Sequence, residues 1–169
     1  MTLADGAPDT VAALKCEMAG EVLRSFGSLR FVATGWSMLP AVWPGDTLFV
    51  DRISPEQVRV GDVVLVGREG KLCAHRVVCV PVDSGIIQHW ITRGDAMAAP
   101  DRPVGESELL GRVSYLIREG KLVAVGAGLS VVERLLAGIV RRSVPAARAL
   151  VYLHGRVETP KESVVTCQG

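Results

Sequence analysis

A serine, a histidine and two aspartates set the chemical question in this chain. Ser37 lies in Gly35-Trp36-Ser37-Met38-Leu39-Pro40. The glycine can take backbone angles closed to other residues, and the proline fixes the chain just after the serine. Such a turn can present a hydroxyl at a rim instead of burying it in a strand. A serine hydroxyl is a poor nucleophile until a base takes its proton. Of the three histidines, His75 stands in the strand-like run Ala74-His75-Arg76-Val77-Val78, whereas His89 and His154 read as structural. An imidazole base in turn needs a carboxylate to hold its tautomer and stabilise its charge. Asp95 and Asp101, in the polar segment that follows, are equal candidates for that role. Taken singly, each residue has a plainer reading: a turn serine, a structural strand histidine, aspartates that cap turns. Asp46 and Asp62 each follow a glycine and read as turn formers.

The elements that must position these groups are short strands. Leu29–Arg52 reads as strand, tight turn, strand, with Leu29, Phe31 and Val32 before the break and Thr47-Leu48-Phe49-Val50 after it. The pattern predicts strands near 29–34, 46–52, 60–67, 71–80, 86–92, 109–117 and 121–125. Turn signals separate them, and Glu69-Gly70 and Glu119-Gly120 suit tight hairpins. Seven short strands in fewer than 100 residues predict an all-β barrel or sandwich-like body. Residues 1–28 comprise a tail and an amphipathic helix starting near Asp9, with Val11, Leu14, Met18, Val22 and Phe26 at helical spacing. The β domain covers 29–125. A cationic helical segment occupies 126–156, and 157–169 reads as a flexible tail. Within 129–153, Leu129, Val132, Leu135, Leu136, Ile139 and Val140 make one face. Pro145 should kink or split this helix. The helix could dock on the β body, contact a partner or a second copy, or lie on an anionic membrane surface.

Composition narrows the function classes. The chain has 169 residues, 49% of them hydrophobic, with a formal net charge of +1, which is not a disordered composition. Residues 118–156 nevertheless carry seven bases against two acids, a net of +5. Aromatic residues are not interleaved with these charges, so no nucleic-acid partner is expected. Cys73 and Cys79 fall on one predicted strand, where six extended residues span ~20 Å and a disulfide needs Cα atoms within ~7 Å. With Cys16 and Cys167 they read as four free thiols in a reducing compartment, and no spacing suggests a metal site. The start of the chain is acidic and lacks the apolar core of a signal peptide, and no run of ~18 apolar residues occurs. The expected location is the cytoplasm, or the inner face of a membrane as a peripheral protein.

Six blocks then occur in order: Gly35-Trp36-Ser37-Met38-Leu39-Pro40, Pro44-Gly45-Asp46, Val60-Gly61-Asp62-Val63-Val64, His75-Arg76-Val77-Val78, Thr92-Arg93-Gly94-Asp95 and Leu110-Gly111-Arg112-Val113. The series resembles the signal peptidase I and LexA-type serine peptidase superfamily, over about Leu29 to Ile117. The resemblance implies a β-barrel body with flanking amphipathic helices. It also implies Ser37 as nucleophile and His75 at the position of the base, as in the Ser-His subclass of archaeal and endoplasmic-reticulum signal peptidases. In that subclass Asp95 or Asp101 orients the histidine. Gly35, Trp36, Met38 and Pro40 are the implied oxyanion and substrate-binding positions. The chain departs from many signal peptidases in carrying Gly35 two residues before the nucleophile, so that backbone N–H groups would receive the oxyanion. It also carries Ala96 where an Asn often follows the Gly-Asp.

The expected function is therefore a serine endopeptidase that cleaves a peptide or pre-protein, such as a leader peptide, after a small residue. This chemistry needs no cofactor and no metal. Two alternatives are a peptide-binding relative that has lost catalysis and a self-cleaving regulator. The second would cut an Ala-Gly bond, of which Ala19-Gly20, Ala127-Gly128 and Ala137-Gly138 are present. No DNA-binding helix-turn-helix fits in the first 28 residues. A homo-oligomer is a further expectation for the partners.

Overall fold

The structure, a computed structural model, describes residues 7–81, 89–126, 128 and 130–142. Alternation of apolar and polar residues and well-placed turns yield seven antiparallel strands: β1 Ser28–Val32, β2 Thr47–Asp51, β3 Val63–Arg68, β4 Lys71–Cys79, β5 Ile91–Arg93, β6 Leu109–Arg118 and β7 Lys121–Ala124. Each of the seven expected strands has a counterpart. The one expected at 86–92 is reduced to β5, and 82–88 lie outside the described residues. The sheet runs β1-β2-β6-β3-β4-β5, with β7 added on β6. Among the described residues it is not closed: β1 pairs only with β2 and β5 only with β4. The protein is thus mainly β, with an open sheet where a barrel was expected.

Turn chemistry sets the register. Glu69-Gly70 and Glu119-Gly120 both have two successive residues at positive φ (50° and 74°, 49° and 73°). This is the backbone of the tight hairpin turn whose twist matches the flanking strands, and it pairs Arg68 with Lys71 and Arg118 with Lys121. Asp46 and Asp62 act as turn formers, accepting the N–H of Trp43 at 2.7 Å and of Arg59 at 2.9 Å.

Side-chain alternation divides the core between the two faces of the sheet. Leu48, Val50, Val63, Leu65, Val113 and Leu116 fill one face, and Val58, Val64, Val66, Val77, Trp90 and Val104 fill the other. Helix α1, Ala7–Phe26, covers the first face. It does so through Leu23, Ala19 and Gly20, and not through the face expected from sequence: Leu14, Met18 and Phe26 are exposed. The reason is steric. A Cβ at Gly20 would lie 3.6 Å from Leu110 and one at Gly67 3.5 Å from the Cys16 Cβ, so small residues allow the helix to sit close to the sheet.

Helix α2, Val131–Arg142, begins at a capping box in which Ser130 and Glu133 exchange backbone-to-side-chain bonds of 2.7 and 3.3 Å. It docks through Val140 on Leu39 and Ala96. Of the expected apolar face, Val132, Leu135 and Ile139 remain exposed. The expected extension to 153, with Pro145, and the tail at 157–169 lie outside the described residues, as do His154 and Cys167. Cys16, Cys73 and Cys79 are free thiols, and the last two share β4 as expected. No helix among the described residues is long and apolar enough to cross a membrane.

Candidate functional site

Ser37 sits where the chain turns between β1 and β2. Leu39 N–H returns to the Trp36 carbonyl at 3.1 Å, Val42 N–H returns to that of Met38 at 3.0 Å, and the Leu39–Pro40 peptide is cis. The turn is braced by the segment after β5. Ala96 donates its N–H to the Ser37 carbonyl at 2.8 Å, and a Cβ at Gly94 would fall 2.5 Å from that same oxygen. Only a glycine at 94 lets the two segments approach so closely.

Ser37 Oγ lies 2.9 Å from His75 Nε2, and His75 Nδ1 lies 2.6 Å from Asp101 Oδ2. Residues separated by 38 and 26 positions in sequence thus form one hydrogen-bonded line. An ionised carboxylate only accepts, so Nδ1 carries the proton and the lone pair of Nε2 faces the serine hydroxyl. Thr92 Oγ1 donates to the same Asp101 oxygen at 2.7 Å, and the Asp101 N–H returns to the Thr92 carbonyl at 2.8 Å. The carboxylate is therefore fixed from two sides. Burial pushes the Asp101 carboxyl up, but the bonds from His75 and Thr92 outweigh it and hold the group below its ordinary value. His75 is buried, and Asp101 keeps one partly open flank.

Asp95 is not the partner of His75. Both of its carboxylate oxygens engage the guanidinium of Arg76, at 2.9 and 2.8 Å, in a pair that is nine-tenths buried. Adjacent residues of a strand point to opposite faces. His75 and Arg76 therefore each take a different aspartate from the same loop. Arg76 Nη1 also donates to the carbonyls of Gly61 and Gly126, both at 2.8 Å, tying three segments together.

Beside Ser37 opens a cavity of about 150 Å³. Phe31 and Ala33 line it from the β1 side, Leu72, Cys73 and Ala74 from β4, and Met38, Val42 and Leu48 deepen it. β1 and β4 are separated in the sheet by β2, β6 and β3, so the sheet must curl to bring them to one cavity. Gly35 and Met38 lie in this lining, but Trp36 and Pro40 do not. Trp36 is exposed and contributes its carbonyl to the turn, and Pro40 is buried behind it. Sequence reasoning missed Thr92 and the apolar lining from β4. Thr92 had a signal, as a hydroxyl in a short strand just before Gly94-Asp95. His89 is exposed and away from this constellation.

Along β4, Arg76, Val77 and Cys79 pair with β5, but Lys71–His75 pair only with β3. The edge of β4 next to Ser37 is therefore unpaired among the described residues, with N–H and C=O groups available to an extended chain. A serine hydroxyl, an imidazole whose free lone pair faces it, a fixed carboxylate, an apolar recess and an open strand edge together suit acyl transfer on an extended peptide. Comparison with protein-family models gives no match for this chain, and no curated protein matches it.

Proposed function

We propose that this protein is a serine endopeptidase of the signal-peptidase-like type, with the curled sheet serving as the body of that fold. The observation that carries the reading is the continuous line Ser37–His75–Asp101, at 2.9 and 2.6 Å, at the mouth of an apolar recess. In the proposed reaction an extended peptide adds to the free edge of β4. A small side chain enters the recess beside Ser37, which brings the following carbonyl to Oγ. His75 Nε2 takes the hydroxyl proton as Oγ attacks, and Asp101 stabilises the imidazolium that forms. His75 then gives the proton to the leaving amine. Water, activated by the same nitrogen, releases the acyl group. The oxyanion would meet backbone N–H groups of the Ser37 turn, and a Cβ at Gly35 would find nothing within 4 Å, so that side of the turn stays open.

Self-cleavage at an Ala-Gly bond is the weaker reading. Ala19-Gly20 lies inside α1 and Ala137-Gly138 inside α2, with both alanines buried, and a helical bond cannot add to a strand edge; Ala127, of the third such bond, lies outside the described residues. The test is to incubate the wild type and Ser37→Ala with peptides from neighbouring genes and to measure masses. A cut made by the wild type alone supports the proposal. A Ser37-dependent shortening of the protein itself supports self-cleavage. Binding without any cut supports the inactive relative and overturns the proposal.

A further inference from the structure

A second cavity, of about 250 Å³, lies against the same stretch of β4 but on the other face of the sheet. Its floor is Val66, Cys73 and Val104, and its walls carry Arg68, Lys71, Arg102, Glu69, Thr92 and Asp101. The two cavities meet at Cys73, which lines both. On β4, Leu72 and Ala74 pack with the first core face and line the Ser37 recess, whereas Cys73 packs with the other face and Lys71 lines only the second cavity.

A chain added to the free edge of β4 continues this alternation, because side chains opposite one another across a strand pair point the same way. For the carbonyl that follows to reach Ser37 Oγ at His75, the chain runs parallel to β4: a residue seated beside Ala74 sends its side chain into the Ser37 recess, and the residue before it, beside Cys73, sends its side chain towards the second cavity. We propose that this cavity is a specificity subsite for the residue immediately preceding the scissile one, and that it selects glutamate. This rests on the peptidase reading given above.

The chemistry of the walls selects the occupant. Arg68 is committed to Glu108, with two bonds of 2.6 Å. Arg102 is committed to Glu69 at 2.6 Å. The Asp101 carboxylate oxygen Oδ2 accepts from both His75 and Thr92, which turn it towards the Ser37 site. Among the cations of these walls, Lys71 alone is in no ion pair among the described residues, and it is exposed at the rim. The Cys73 thiol is pushed by burial up to about 11 and stays neutral, so the floor offers apolar contact. An apolar floor with one uncommitted cation at its rim fits two methylenes capped by a carboxylate. A lysine or arginine there would meet Lys71 as a like charge.

The experiment is a randomised dodecapeptide library, digested by the wild type, Lys71→Glu and Ser37→Ala, with cleavage positions read by mass spectrometry. Among Ser37-dependent cuts, glutamate should exceed lysine at the preceding position by about three- to tenfold, as expected for one partly exposed ion pair. Lys71→Glu should invert that preference while keeping the small residue at the scissile position. A flat profile, or the same profile in wild type and Lys71→Glu, overturns the subsite and leaves the peptidase standing. If no Ser37-dependent cut appears, the peptidase reading fails, and the library is instead passed over immobilised Ser37→Ala and Ser37→Ala/Lys71→Glu. Retention of glutamate-bearing peptides by the first alone supports the subsite, and equal or absent retention overturns it.

Discussion

Two aspartates six positions apart in one loop divide their work through the strand they face. Asp101 meets His75, and Asp95 meets Arg76. Their substitutions should therefore fail in different ways. Asp101→Asn can no longer hold the Nδ1-protonated tautomer. Under the proposed mechanism kcat should fall on the order of 10³–10⁴-fold, with a thermal midpoint close to that of the wild type. Asp95→Ala leaves the Arg76 guanidinium buried without its partner, and breaking a buried pair in this way costs about 3–5 kcal/mol. Chemical denaturation should register that loss. Comparable rate loss in the two folded variants would remove the distinction between them. The sequence left this choice open because both residues are acids in the same polar segment. What decides it is the two-residue period of β4, together with the 26 and 19 positions of chain that fold back to it.

At the scale of elements, the Ser37 turn is held by neighbours that carry none of the proposed chemistry. Leu39, Ala96 and Val140 form one small cluster, joining the Ser37 turn, the loop after β5 and helix α2. Val140→Asp would bury a carboxylate in that cluster and should undock α2. The expected result is a lower rate with Ser37, His75 and Asp101 all intact, and faster amide exchange at Ala96, whose N–H holds the Ser37 carbonyl. Unchanged exchange there would separate α2 from the site. The strands themselves were legible because period-2 patterning and glycine turns are local signals. The helix faces were not. Leu14, Met18 and Phe26 make the more apolar stripe of α1, yet Ala19, Gly20 and Leu23 meet the sheet because their profile fits it. Fit to a partner surface is a tertiary property that helical spacing does not encode. The curl that joins β1 to β4 was likewise hidden, since it arises from the accumulated twist of strands distant in sequence.

For the molecule as a whole, one ion pair links stability to acid. Arg68 holds Glu108 and also donates to the carbonyls of Arg102 and Pro103, so it clamps the segment just beyond Asp101. The bond to Arg68 is the main cause of a Glu108 carboxyl lowered to about 2 from 4.5, against a smaller opposing push from burial. A carboxyl lowered on folding contributes stability that is fully present above its unfolded value and is lost as pH falls through the folded one. Wild-type stability should therefore decline between about pH 4.5 and 2, and Glu108→Gln should flatten that part of the profile while lowering stability near neutrality. Parallel profiles for the two proteins would refute the linkage.

The unpaired edge at Lys71–His75 has a consequence for life at high protein concentration. An open strand edge is a template for another copy of the same chain, and natural proteins blunt such edges with short length and charge. Here the open stretch is five residues long and begins with a lysine at its outer end. Lys71 thus puts a charge on this edge, and a second copy pairing there would have to take that ammonium out of water. Lys71→Val should raise the concentration-dependent turbidity of the purified protein.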